Sequence, residues 1–166
     1  MNTSSLWQSA AAFAARAHVG QLRKDGKTPY FSHPCRVTLT VACVFGCTDA
    51  PTLAAALLHD VIEDCGVDYN EVAEAFGSDV ADIVVALTKD MRLPEAKREP
   101  AYDAQLAAGP WQARLIKLAD VHDNFSDATS DKARAKVREK ADRAIALAGD
   151  DPRLAKAVDA VRRLIA

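Results

Sequence analysis

Apolar residues recur at three- and four-residue intervals along nearly the whole chain, the spacing that lines up one face of an α-helix. Leu6, Ala10, Phe13, Ala14 and Ala17 form the first such stripe, with Ser4 or Ser5 expected to cap it. From Arg36 to Cys47 the positions are almost all apolar, a pattern that suits a buried strand or a buried helix. Length decides for helix, since about 12 residues exceeds the usual strand, and Gly46 resembles a helix stop. Asp49-Ala50-Pro51 opens a further helix expected to run to Gly66. Tyr69 to Phe76 and Ser78 to Thr88 read as two short helices broken at Gly77, the second turning Val80, Ile83, Val84 and Leu87 inward. Lys89 to Pro94 is irregular, and a short helix carries Lys97 and Arg98 as far as Pro100. Pro110 then starts a long helix with Trp111, Leu115, Leu118 and Phe125 on its core stripe. Two amphipathic helices, divided at Gly149-Asp150-Asp151-Pro152, read as packing elements without chemistry. The pattern predicts an all-α bundle of roughly eight helices around one site.

At 166 residues the chain suits a single domain, 1–166, able to bury roughly two thirds of its unfolded surface. A formal net charge of −2 gives no general reason to expect nucleic acid or an anionic membrane as partner, so an anionic ligand needs a local basic pocket. The N-terminus lacks a secretory pattern and no run approaches the ~20 apolar residues of a membrane span, which points to a cytoplasmic protein. The oligomeric state is left open. Cys35, Cys43, Cys47 and Cys65 show no C-x-x-C spacing and read as buried reduced thiols, with Cys43 and Cys47 on one helix face.

The apolar pattern breaks at one place, where Leu57-Leu58 runs into His59-Asp60-Val61-Ile62-Glu63-Asp64. On a continuous helix His59 and Asp60 lie about 100° apart and can lean toward one ion, while Glu63 and Asp64 follow one turn later on the same side. Unpaired carboxylates beside a core are costly, so three of them and a histidine issuing from a buried helix ask for a compensating charge. A third candidate ligand is His33, placed at a helix start because Pro34 suits the first helical position. Its neighbours Arg23 and Lys24, in a turn-rich basic loop, would then reach the rim of the site. Asp120, flanked by Leu118 and Ala119 and sharing a stripe with Lys117 and Asn124, is the fourth. His18 reads as a histidine at a helix C-terminus and His122 as a hydrogen-bonded boundary residue.

His33, His59, Asp60 and Asp120 make a mixed nitrogen and oxygen set that accepts Mn²⁺, Fe²⁺, Co²⁺ or Zn²⁺ and leaves positions open for water. Such a cation can bring the pKa of water toward about 7 and polarise a phosphoryl oxygen, the two demands of phosphate hydrolysis. One of Glu63 and Asp64 can then orient or deprotonate the water while the other handles the leaving oxygen, and Asn124 can hold a sugar hydroxyl.

The runs Phe13-Ala14-Ala15-Arg16-Ala17-His18, Gly20-Gln21, Arg23-Lys24-Asp25-Gly26, Thr28-Pro29-Tyr30 and His33-Pro34 precede Ala55-Ala56-Leu57-Leu58-His59-Asp60-Val61-Ile62-Glu63-Asp64. Ile116-Lys117-Leu118-Ala119-Asp120 and Asn124 follow. Together, in this order over most of residues 6–127, they resemble the HD-superfamily hydrolase domain of the RelA/SpoT homologues, above all the stand-alone small alarmone hydrolases. The resemblance implies an all-helical Mn²⁺ enzyme that removes the 3′-pyrophosphate of (p)ppGpp to leave GDP or GTP. It implies His33, His59, Asp60 and Asp120 as metal ligands and Glu63 and Asp64 as the catalytic pair. Arg23, Lys24, Tyr30, Asn124 and Arg98 are implied to contact the nucleotide. Val121-His122, Lys97 and Asp127 depart from the family pattern and bear on nucleotide preference. With no synthetase or regulatory region, the chain is expected only to degrade the alarmone. Competing readings keep the site and change the substrate, to (p)ppApp or the 2′-phosphate of NADPH, or keep the fold as a non-catalytic nucleotide sensor.

Overall fold

The computed structural model describes residues 3–166, with backbone alone for Thr3, Ser4 and Ser5. Among the described residues there are ten α-helical segments, one π-helical segment and no strand beyond an isolated antiparallel bridge between Leu22 and Pro29. Helix α1 spans Thr3–Ala17 and α2 Ser32–Leu39, and the rod of α2 continues as a π-helix over Thr40–Phe45. The helix at the centre is α3, Ala50–Leu58. It starts where Asp49 accepts the amide of Thr52 with Pro51 in the first turn, and Ala54, Ala55, Ala56, Leu57 and Leu58 are all buried. Three consecutive alanines let α1 approach through its own buried Ala10 and Ala14 while α2 and α6, Ser78–Leu87, cover the other sides. Truncating the fully buried Leu58 to alanine would cost about 2–5 kcal/mol. Around this centre lie α5 (Tyr69–Phe76), α7 (Glu95–Ala108), α8 (Trp111–Ser126), α9 (Asp131–Ala148) and α10 (Ala155–Ile165). Of these, α8 is the second organiser, packed on α2, α6, α9 and α10.

Five expectations are corrected. The helix from Asp49 does not run unbroken to Gly66: α3 ends at Leu58, and a single turn, α4 (Val61–Asp64), restarts after Asp60, whose φ of −103° and ψ of −4° lie in the bridge region. The first helix begins at Thr3, ahead of the serines expected to cap it, and the side chains of Ser4 and Ser5 lie outside the described residues. Pro34 is the third residue of α2 rather than the first, still inside the turn whose amides have no helical partner. Pro100 lies within α7, because Tyr102 and Leu106 beyond it are buried and hold the helix on its course. The thiols are all free, but none is fully buried: Cys35, Cys47 and Cys65 are half-buried and Cys43 is exposed, and Cys47 lies past Gly46 and so off the helix face of Cys43.

The π-helical stretch also escaped the sequence pattern. Its wider turn keeps Val37, Val41 and Phe45, four residues apart, in one inward row, and Gly46 closes it in the left-handed conformation at φ 81°.

Candidate metal centre and active site

Each side chain of the site arrives from a helix end or a buried helix face. The break after Leu58 turns His59 and Asp60 toward one point, so that His59 Nε2 lies 3.2 Å from Asp60 Oδ2. His33, in the first turn of α2, meets them with its Nε2 3.7 Å from the same oxygen. Ligand atoms of His33, His59 and Asp60 all lie within 4.8 Å of one another. Asp120, from α8, brings Oδ1 to 3.3 Å from His33 Nε2, while Lys117 Nζ and Asn124 Nδ2 donate to its carboxylate at 2.6 and 2.5 Å. The stripe of Lys117, Asp120 and Asn124 is thus one connected group.

The hydrogen bonds assign the imidazole tautomers. His59 Nδ1 lies 2.8 Å from the carbonyl of Ala56, which can only accept, so the proton is on Nδ1 and Nε2 carries the lone pair. That Nε2 is buried and has no hydrogen-bond partner. His33 Nδ1 lies 2.6 Å from Asp123 Oδ2, a carboxylate also gripped by Arg36 Nε at 2.6 Å. Both histidines therefore present Nε2 to the space beside Asp60. An orphaned, buried imidazole nitrogen facing a second imidazole and a carboxylate fits a divalent cation. Burial opposes a charge on His33, but Asp120 and Asp123 outweigh it and raise its pKa to about 9, so a divalent ion at Nε2 would take the place of a proton shared with Asp120. Burial likewise opposes the charge of Asp120, yet Lys117 and then His33 hold its carboxyl well below the usual range.

The acidic pair stands beside this cluster. Burial and then Asp60 push the carboxyl of Asp64 up, and burial does the same for Glu63 against the opposing amide of Lys89, which donates to Glu63 Oε2 at 2.8 Å. The Tyr30 hydroxyl donates to Asp60 Oδ2 at 2.7 Å and is kept protonated by burial and by Asp60. Its ring is stacked at 4.8 Å on the buried His18, which joins Gln21 and Cys65 behind the site and not the metal cluster. His122 likewise stays outside, its ring against Phe45.

These groups line a cleft of about 210 Å³ together with Arg23, Leu87, Lys89, Tyr102, Lys117, Asn124 and Lys140. Past Arg23 and Asn124 it adjoins a groove of about 660 Å³ whose lining includes Lys24, Arg36, Asp127, Lys132, Lys136 and Lys140. Arg23 spans the junction, donating to Asp127 at 2.8 Å and to Asn124 at 3.3 Å. Lys24 belongs to the groove alone. Arg98 lines neither cavity, and among the described residues its side chain is paired with Glu99 alone, at 3.5 Å. The lysines of α9 were missed, since on sequence that helix looked like a solvated packing element. Asp123 and Arg36 were missed too. The available signal was the three-residue step from Asp120 to a second aspartate on the same helix.

The fold and this donor set define a class. Residues 10–146 match the family described as HD domain, and the chain belongs to it. The HD fold implies a divalent metal, and the His33, His59 and Asp60 group supplies a place for one. The chain is 40% identical over 125 residues to the guanosine-3′,5′-bis(diphosphate) 3′-pyrophosphohydrolase MESH1 of Xenopus tropicalis, covering 75% of this chain and 70% of that protein. It is 41% identical over 119 residues to human MESH1, covering 71% and 66%. Similarity to the bifunctional (p)ppGpp synthase/hydrolase SpoT of Escherichia coli K12 is 37% over 137 residues, 76% of this chain but 19% of that one. A solved structure described as a metazoan ortholog of SpoT that hydrolyzes ppGpp superposes with a TM-score of 0.81 at 30% identity, covering 96% of this chain and 94% of the other. No helix of the described residues is long and apolar enough to cross a membrane.

Proposed function

We propose that this chain is a guanosine-3′,5′-bis(diphosphate) 3′-pyrophosphohydrolase, converting (p)ppGpp to GDP or GTP and pyrophosphate. The observation that carries the reading is the junction of two unlike cavities: a metal-fitting cluster with an acidic pair opens directly into a cation-lined groove. A nucleotide with diphosphates on two sugar positions matches that shape, one at the cluster and the other among Lys24, Lys132 and Lys136. The names borne by the MESH1 relatives support the same substrate.

In this reading His33, His59, Asp60 and Asp120 hold the ion, which we take to be Mn²⁺, with Fe²⁺, Co²⁺ and Zn²⁺ as alternatives suited to the same donors. When bound it supplies positive charge that acidifies water and polarises the phosphoryl oxygens. Asp123 and the Ala56 carbonyl keep each imidazole in the tautomer that leaves Nε2 free. One of Glu63 and Asp64 accepts a proton from the attacking water as its oxygen bonds to phosphorus. As the bond from phosphorus to the 3′-oxygen breaks, the other gives that oxygen a proton. Both carboxyls are shifted upward, toward the range where such exchange is effective near neutral pH. Asn124 and Arg23 stand where the ribose would cross between cavities, and Tyr30 keeps Asp60 in place from behind. Residues 1–166 act as one domain, in the cytoplasm.

The test is incubation of purified protein with Mn²⁺ and a nucleotide panel of ppGpp, pppGpp, ppApp and NADPH. Release of pyrophosphate from the guanosine substrates supports the proposal; phosphate released from NADPH alone would overturn it.

A further inference from the structure

The backbone amide that holds Glu63 belongs to the peptide group between Thr88 and Lys89, and this peptide is gripped on its other side as well. Lys89 N–H donates to Glu63 Oε2 at 2.8 Å, and the Thr88 carbonyl of the same peptide accepts from Gln105 Nε2 at 2.8 Å. Gln105 also donates to the carbonyls of Val85 and Ala86 at the end of α6, so its amide is fixed rather than free to follow the loop. The Lys89 side chain is held independently. Its Nζ sits 2.7 and 3.0 Å from the two oxygens of Glu99 and 5.0 Å from the centre of the Tyr102 ring. Glu99 is in turn tied to α9 by Arg143, at 3.4 Å. Gln105, Glu99 and Tyr102 all come from α7, and Gln105 and Glu99 line no part of the metal cleft.

We propose that α7 is a positioning element for the acidic pair: Gln105 and Glu99 fix the Thr88–Lys89 peptide so that its N–H aims Glu63 into the cleft. This rests on the hydrolase reading above. A donor on the carbonyl of a peptide strengthens the donor power of its N–H, so Gln105 sharpens the bond to Glu63 as well as orienting it. A carboxylate at the edge of a cleft, crowded by Asp60 and Asp64, would otherwise rotate toward solvent. Neither residue touches the reacting atoms, so loss of either should lower turnover without weakening substrate binding.

The test uses the Mn²⁺-loaded 166-residue chain as Gln105→Met, Glu99→Gln and Lys89→Met, with kcat and KM for ppGpp and the hydrogen-exchange rate of the Lys89 amide measured for each. Expected are a fall in kcat of about tenfold, within the range that small misplacements of a reacting group cause, KM within twofold, and Lys89 exchange at least about tenfold faster. Combining Glu99→Gln with Lys89→Met should lower kcat no further than either alone, because both cut one link. A kcat unchanged in folded Gln105→Met and Glu99→Gln protein, or an unchanged Lys89 exchange rate, would overturn the proposal. So would Lys89→Met raising KM alone, which would make that lysine a substrate contact. Should the parent protein release no pyrophosphate, the hydrolase reading fails by itself, and the exchange rates still decide whether α7 holds this peptide.

Discussion

At the metal end of the cleft nearly every polar side chain is fixed by a second bond, whereas along the α9 groove the lysines stand apart from any acid and only Arg23 and Arg36 are paired. His33 leans on Asp123, His59 on Ala56, Asp120 on Lys117 and Asn124, and Glu63 on the Lys89 amide. Lys24, Lys132, Lys136 and Lys140 make no ion pair among the described residues, and burial followed by repulsion from Lys117 and Lys89 pushes Lys140 down. One region is built before anything binds; the other holds charge that a ligand must bring into balance. Preorganised groups act on chemistry, and loosely held surface cations act on capture. The two regions should therefore fail differently.

The largest effect is expected from the acidic pair. Glu63→Gln combined with Asp64→Asn should reduce kcat by about 10²–10⁴-fold, the usual weight of general acid and base catalysis, while Mn²⁺ binding by calorimetry stays within a few-fold of the parent. Turnover at the parental rate would remove both residues from the chemistry. Next comes Asp123→Asn, which removes the charge behind His33 and leaves all the proposed ligands in place. Metal affinity should fall about 10–100-fold, as outer-shell changes of this kind do. An unaltered affinity would mean that His33 needs no partner to hold its ring.

Removing cations from the groove should do something else. Lys136→Ala with Lys132→Ala should raise KM for ppGpp about three- to tenfold and flatten its dependence on salt, with kcat nearly constant, since exposed charges contribute modestly and are screened. A matching loss in kcat would erase the distinction between the two ends.

The same contrast explains what could be read from residues alone. The metal end was readable because its side chains are short, their spacing is fixed by helix geometry, and charged groups inside an apolar run are conspicuous. Even there the pattern predicts a helix straight through His59 and Asp60, since nothing in Leu57 to Asp64 marks a break: no glycine or proline interrupts it. The convergence of His59 with Asp60 depends on that break. The groove went unread for the opposite reason. Lysines at 132, 136 and 140 share a face by their four-residue spacing, but a helix face of lysines is normally solvated, and only the packing of α9 along α8 turns this one toward Asn124. Arg98 rests on likeness of position and not on any property of its surroundings, and it lines neither cavity.

The smallest functional effect should come from Gly46, and it tests whether stability alone could mimic either region. Gly46 sits at φ 81°, and a Cβ there would come 3.0 Å from Lys156 Nζ, the movable end of a flexible side chain. The cost of Gly46→Ala is therefore mainly backbone strain, about 1–2 kcal/mol for a left-handed alanine, or a drop in Tm of roughly 3–6 °C for a chain of this size. The residue terminates the rod that carries His33 in its first turn, at the end farther along the chain, and lines neither the cleft nor the groove. Well below the lowered Tm, kcat, KM and metal affinity should match the parent within about twofold. Should Gly46→Ala instead reproduce the weakened metal binding of Asp123→Asn, the orientation of His33 would depend on the whole α2 rod, and the fixed character of the metal end would have to be credited to helix packing instead of to the bond with Asp123.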